Sequence, residues 1–253
     1  MVPRATMTVW DDEECARARA ASRSVLERAG VEIGHSEALA LLGSAGARID
    51  GSRVFIPGSL VDAVLASAPT TFDIPGRGRG GMQVSQGRSW FGTGPDCMYL
   101  HDPFTGVRRR ARLDDVVASA DLCDKLDEVD FVMSMGLPED APLLSEDLLQ
   151  FAAMLDGTSK PLVVSTSHGG DGLSAMHEMA GLCGDSNSFG CLVMSSPPLK
   201  LDHHAVDKLI VCARLGIPAI LAPAPSAGVS APASISSAVI VADAEVTAGD
   251  VVE

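Results

Sequence analysis

Residues 161–196 read PLVVSTSHGGDGLSAMHEMAGLCGDSNSFGCLVMSS. An unbroken apolar run, Pro161 to Ser165, gives way to a loop of Ser, His and Gly. Helix-period residues follow from Leu173 to Leu182, and a second apolar run covers Cys191 to Ser195. A strand with one wet face would alternate polar and apolar residues. Continuous apolar runs instead mark strands covered on both faces, as in a parallel sheet with crossover helices.

The same unit recurs on either side. Val129 to Met135 precedes a helix over Ser145 to Leu155, the run at Cys191 precedes a helix over His203 to Leu215, and Pro218 to Ala222 precedes a helix over Ile235 to Thr247. Tandem strand–helix units of roughly thirty residues predict an α/β fold of (β/α)8 TIM-barrel type, with the first four units present. A doubly wound open sheet gives the same periodicity and stays open as an alternative. The last unit, GIPAILAPAPSAGVSAPASISSAVIVADAEVTAGDVVE (216–253), ends the sequence just after its helix. An apolar sheet edge is normally paired or covered, so the expectation is a piece of a larger protein, or a half-barrel that self-associates as a homo-oligomer.

Upstream of residue 125 the pattern is mixed. Helices are predicted over Ala16 to Ala29, Ser36 to Leu42 with Ser36 as N-cap, Ser59 to Ala66 and Leu113 to Leu126. Short extended pieces lie at Arg53 to Ile56, Thr71 to Ile74, Met82 to Val84, Ser89 to Phe91, Cys97 to Leu100 and Val107 to Arg109. Gly and Pro separate the later ones as hairpin turns do. The organisation expected is therefore a helical and β-hairpin region over 1–125 and the half-barrel over 126–253.

Composition narrows the function classes. The chain has 253 residues, is 46% hydrophobic with only 4% aromatics, and carries a net charge of −14. Its core is aliphatic. The acidic balance argues against nucleic-acid or anionic-membrane partners, which need a cationic surface. The six cysteines are scattered without Cys-x-x-Cys spacing, which fits reduced thiols and a cytoplasmic location. The N-terminal residues lack a signal-peptide pattern, and no run of about 18 apolar residues suits a membrane span.

Few motifs carry chemistry along the sequence. Gly76, Gly78 and Gly81 satisfy G-x-G-x-x-G, but the following MQVSQG reads as a strand where a dinucleotide site needs a helix. His35, His101, His168, His177, His203 and His204 show no compact zinc spacing, so no metal set is expected from spacing, although one assembled in space stays open. No nucleophile elbow is present, and no catalytic residue is assigned. In a barrel, ligands sit at the C-terminal strand ends. The loops there supply Ser165, Thr166, His168, Ser195, Ser196, Ser226 and Gly228, with Glu245 as a possible counter-charge on the last helix. Small neutral groups suit a neutral or cationic small molecule; the alternative is that they cap helices and shape turns. Arg77, Arg79, Arg88, Arg108, Arg109, Arg110 and Arg112 form a basic cluster. It is either a solvated face balanced by Asp102, Asp114 and Asp115 or a docking surface for an acidic partner or the anionic part of a cofactor.

VLERAGVEIGHSEALALLGSAGARID (25–50) and RVFIPGSLVDAVLASAPTTFDIPGRGR (53–79) resemble the N-terminal part of the trimethylamine methyltransferase family. GTGPDCMYLHDPFTGVRRRARLDD (92–115) is similar to that family's Gly-rich, Asp-x-x-Thr-Gly-x-x-Arg segment. Thr158–Pro161, Ser196–Leu199, Pro225–Gly228 and Ala242–Glu245 follow in family order, the last with Asp243 where the family has Asn. The resemblance implies a TIM barrel with an N-terminal addition. It implies methyl transfer from a methylamine or quaternary amine, such as trimethylamine or glycine betaine, to the cobalt of a corrinoid (cobalamin) held by a partner protein. The corrinoid is not expected to bind this chain directly. On this reading Ser165, Thr166, His168, Ser195, Ser196, Ser226, Gly228 and Glu245 surround the small methylated amine, and Arg108, Arg109 and Arg110 dock the corrinoid protein. The position that carries pyrrolysine in some members is expected beyond Glu253. A non-catalytic half-barrel that dimerises or binds a small molecule is the competing expectation.

Overall fold

Apolar runs at 131–132, 162–164, 189–193 and 219–221 line up side by side, with 162–164 and most of 189–193 buried and 219–221, at the sheet edge, partly exposed. The computed structural model describes residues 8–78, 80–85, 87–142 and 145–252; Arg79 of the basic cluster lies outside them. β8 (Leu162–Val164), β9 (Phe189–Val193) and β11 (Ala219–Leu221) form a parallel sheet in the order β11-β9-β8. Val163 pairs with Gly190, and Leu192 with Ile220. A parallel bridge from Val132 to Leu162 adds the fourth apolar run at the β8 edge. Successive runs are thus neighbours, and α5 (Glu146–Gly157) and α6 (Gly169–Leu182) connect the first three. α7 (His203–Leu215) lies between β9 and β11 in the chain. α4 (Leu113–Asp124) packs on α5, and α6 packs on both α5 and α7.

The core of this unit (residues 68–194 and 203–222) is aliphatic, as the composition demands. Leu162, Val163, Val164, Cys191, Val193, Leu173, Met176 and Leu209 are all buried. Its main aromatic contact is an edge-on pair, Phe151 against Phe189, with centroids 5.1 Å apart. Two hairpins belong to the same unit. β4 (Thr71–Ile74) pairs with β5 (Met82–Ser85) across the glycine turn, so a strand follows that turn and the dinucleotide reading fails on context. β6 (Tyr99–His101) pairs with β7 (Arg108–Arg110).

A second compact unit gathers residues 8–67, 195–202 and 223–252. Its sheet runs β10-β1-β3-β2, from β10 (Lys200–Leu201), β1 (Val31–Ile33), β3 (Arg53–Phe55) and β2 (Arg48–Asp50). β1 pairs parallel with β10 and antiparallel with β3. Helices α1 (Asp12–Arg28), α2 (Ser36–Ser44) and α3 (Gly58–Ser67) pack on α8 (Ile235–Val252). Each compact unit is drawn from separate stretches of the chain.

The architecture is mixed α/β, and among the described residues its sheets are small and none closes into a barrel. Several local expectations change. His35, not Ser36, is the N-cap of α2, its Nδ1 accepting from the Ala38 amide at 3.4 Å. Val129 to Met135 and Ser89 to Phe91 make isolated bridges or coil rather than strands. α6 begins at Gly169, four residues before the apolar period does. The reason is close packing: a Cβ on Gly170 would meet Val211 at 2.4 Å, and the Gly170 amide donates to Asp207 Oδ2 at 2.6 Å. No described helix is long and apolar enough to cross a membrane. All six cysteines are free.

Candidate functional site

The C-terminal ends of the 131–132 run and of β8 carry the polar groups of the parallel-sheet unit. The segment 92–97 runs alongside 131–136, bridged in parallel at Gly92–Phe131 and Cys97–Gly136. That places Asp96 beside Ser134, whose Oγ donates to Asp96 Oδ1 at 3.1 Å. Ser165, next after β8, and Gln150 of α5 act on the Asp96 carboxyl as polar groups that favour its charged form. Gln150, itself buried, donates to the Gly136 carbonyl at 2.8 Å. Two non-glycine residues here adopt left-handed backbone, Asp96 at φ 52° and Met135 at φ 59°. Asp tolerates this region; for Met it stores about 1 kcal/mol or more of strain. Such strain gathers where the surroundings hold a working geometry.

Asp147, in the first turn of α5, is the hub of the neighbouring group. It is 5% exposed. Its Oδ2 accepts from Thr166 Oγ1 at 2.7 Å, from the Ser167 amide at 2.8 Å and from Ser167 Oγ at 3.2 Å. His168 Nδ1 lies 2.9 Å from the same oxygen. Lys208 of α7 donates to the Thr166 carbonyl at 3.0 Å, fixing the loop from behind.

The two carboxylates respond oppositely to burial. Desolvation acts first on both and favours the protonated form. For Asp147 the donors from Thr166, His168 and Ser167 outweigh it, and its carboxyl is held below the ordinary range. For Asp96 burial prevails over the hydroxyl and amide donors, the charge of Asp147 adds to it, and the carboxyl is pushed up. The groups bearing on Asp96 are neutral donors and one negative charge. Geometrically, this is a half-buried acid that a cation would relieve.

The remaining expected residues fall elsewhere. Ser195, Ser196, Ser226, Gly228 and Glu245 belong to the second unit. Glu245 is completely buried, and both its oxygens are used: Oε2 accepts from Ser195 Oγ at 2.5 Å and Oε1 from the Leu199 amide at 2.8 Å. Ser196 Oγ donates to Asp202 at 2.9 Å. Ser226 and Gly228 build a turn, in which the carbonyl of Ser226 accepts from Val229, Ser230 and Ala231 and Gly228 has φ 80°. These groups shape loops.

Arg108, Arg109 and Arg110 lie on β7, but their side chains differ. Arg109 bonds Asp115 at 2.7 and 2.8 Å and pairs with Asp102 at 3.3 Å, so its charge is spent within the hairpin and α4. Arg108 stacks 3.9 Å over Tyr99, and Arg110 approaches Glu139 at 3.7 Å. Arg77 is bound to the Leu155 and Thr158 carbonyls at the end of α5.

Ser165, Thr166 and His168 are therefore brought together, while Asp96, Glu146, Asp147, Ser134 and Gln150 were missed. Asp96 follows the Gly-Thr-Gly-Pro turn of a segment already marked by its glycines, which is the one sequence signal that points to it. Asp147 reads in sequence as an ordinary acid at a helix N-terminus.

Comparison with known proteins agrees with the resemblance in the sequence. The profile of the trimethylamine methyltransferase (MTTB) family matches residues 2–252. The chain is 29% identical to a trimethylamine methyltransferase MttB of Desulfitobacterium hafniense over 83% of its own length and 44% of the relative's. A glycine betaine methyltransferase of the same species is 25% identical over 89% of this chain and 48% of the relative. An MttB of Methanosarcina thermophila is 26% identical over 96% and 53%. The chain thus spans about half the length of these relatives. With nearly its whole length matched, it belongs to the trimethylamine methyltransferase family.

Proposed function

We propose that this chain supplies the amine-binding end of a methyltransferase that takes a methyl group from trimethylamine or a quaternary amine such as glycine betaine. The observation that carries this reading is Asp96: a half-buried carboxylate that accepts a hydrogen bond from Ser134, with a second carboxylate as its charged neighbour. A methylated ammonium placed there offsets that uncompensated charge.

The sequential parallel order of 131–132, β8, β9 and β11 supports the (β/α)8 reading, in which ligands sit at these strand ends. The chemistry asks little acid–base work of the chain. From a quaternary ammonium, or from trimethylamine bound as its protonated cation, the carbon–nitrogen bond breaks with its electron pair staying on nitrogen, so the departing amine is neutral and needs no further general acid. The task is to hold the cation, exclude water and align the methyl group, and positioning of this kind accounts for large rate gains. The acceptor on this reading is a corrinoid on a partner protein, which supplies the nucleophilic cobalt. Arg108 and Arg110 are the docking residues that fit this step; Arg109 is reassigned to holding the hairpin.

The test is methyl transfer from trimethylamine, tetramethylammonium and glycine betaine to free reduced cobalamin, using the whole protein that contains this chain. Transfer from at least one amine, reduced about 10-fold or more by Asp96→Asn, is the expected result. No transfer from any amine, or an Asp96→Asn variant with full activity, overturns the proposal.

A further inference from the structure

A second group of ligating atoms stands at the same strand ends. Glu146, Asp147 and His168 each offer one ligand atom, and these atoms lie within 4.8 Å of one another. Two elements converge to make the group: the carboxylates open α5, and His168 comes from the loop after β8. Asp147 is already oriented, because Thr166 and Ser167 donate to its Oδ2. Glu146 Oε2 is shut off from solvent and accepts no hydrogen bond among the described residues. A buried acceptor left unmet costs about 1–3 kcal/mol, more for a charged group. Glu146 therefore brings an unmet carboxylate oxygen to a group that already holds a second carboxylate and an imidazole.

We propose that Glu146, Asp147 and His168 bind a divalent first-row transition-metal ion, with water completing its shell. Two carboxylate oxygens and one imidazole nitrogen suit Zn²⁺, Mn²⁺, Co²⁺ or Fe²⁺, whereas Ca²⁺ and Mg²⁺ prefer all-oxygen sites. Ligand bonds of about 2.1 Å put tetrahedral neighbours about 3.4 Å apart. The candidate ligand atoms lie no more than 4.8 Å apart, so binding asks only for side-chain shifts of about 1 Å, with the direct His168–Asp147 contact opening to admit the ion. Thr166 and the Ser167 amide become the outer donors that fix the ligating carboxylate. The positive end of the α5 dipole tempers the affinity, so micromolar binding is expected. The ion would clamp the loop after β8 onto α5. This site does not depend on the amine reading.

Cobalt titration followed by its visible absorption, with Zn²⁺ competition and melting curves, tests the site on the intact chain. Saturable binding at about 1–10 µM and a melting temperature that rises with Zn²⁺ are expected. Glu146→Gln and His168→Asn should each weaken binding by about 10-fold or more, while Glu139→Gln, an exposed glutamate paired with Arg110, leaves it unchanged. Asp96→Asn should keep the metal and lose the amine, which separates the two proposals. No binding at about 1 mM metal ion overturns the site. So does equal affinity in the wild type and both ligand variants, which would place the ion elsewhere.

Discussion

Glu245 and Asp96 are both acids that accept a hydrogen bond from a serine, one in each compact unit, and they could hardly be treated more differently. Glu245 is completely buried and gives each oxygen a protein donor, Ser195 and the Leu199 amide. Asp96 is half-buried, receives neutral donors, and faces another carboxylate. A saturated, sealed acid is part of the scaffold. An open acid with charge left over can serve a ligand. A serine partner does not by itself distinguish the two; the full hydrogen-bond inventory does.

The largest effect expected from that contrast is on stability. Glu245→Ala strands two buried donors and should cost about 3 kcal/mol in chemical denaturation. A loss below about 1 kcal/mol would mean that the pocket is not sealed. Asp96→Asn should do the reverse. The amide keeps hydrogen-bonding capacity and removes the charge, so the variant should gain about 1 kcal/mol at neutral pH, as destabilised functional positions often do.

The pH dependence sharpens this prediction. Asp96 binds its proton more tightly folded than unfolded. Its contribution is therefore fully present below the unfolded carboxyl value and is lost as pH rises through the raised folded value. Asp96→Asn should abolish that falling limb in melting curves across the acid range. An unchanged limb would assign it to another group, Asp250 being the other acid whose carboxyl burial raises.

The smallest effects belong to the hairpin arginines. Arg109→Ala removes contacts to Asp102 and Asp115 and should loosen the hairpin, seen as faster amide exchange in β6 and β7. Arg108→Ala should change stability by less than about 0.5 kcal/mol, because it is a surface position stacked on Tyr99. If Arg108→Ala loosens the hairpin as much as Arg109→Ala, the division between structural and docking arginines fails.

Much of the fold was legible because burial on two faces writes unbroken apolar runs. β8, β9, β11 and the full span of α7 follow from that pattern. β1, β2 and β10 were not legible: they are two or three residues long, and β1 meets its parallel partner β10 from far along the chain, a pairing no local periodicity records. The start of α6 was hidden by glycines that read as loop but are required by the approach of Val211 and Asp207. The place of Ser165, Thr166 and His168 after a strand was legible in the sequence. Asp96 and Asp147 were not, because their roles depend on which donors surround them, and those donors come from separate segments of the chain. The mutual hydrogen bond of Ser195 and Glu245 was not legible for the complementary reason: sequence shows polar groups, not whether they are already satisfied.

The most direct check is a binding titration of tetramethylammonium and trimethylammonium into the wild-type chain and Asp96→Asn, both verified as folded by circular dichroism. The account predicts saturable binding to the wild type and a loss of about 10-fold or more in the variant, about 1.4 kcal/mol, despite its higher stability. Equal affinity in the two proteins, or no binding to the wild type, would contradict it.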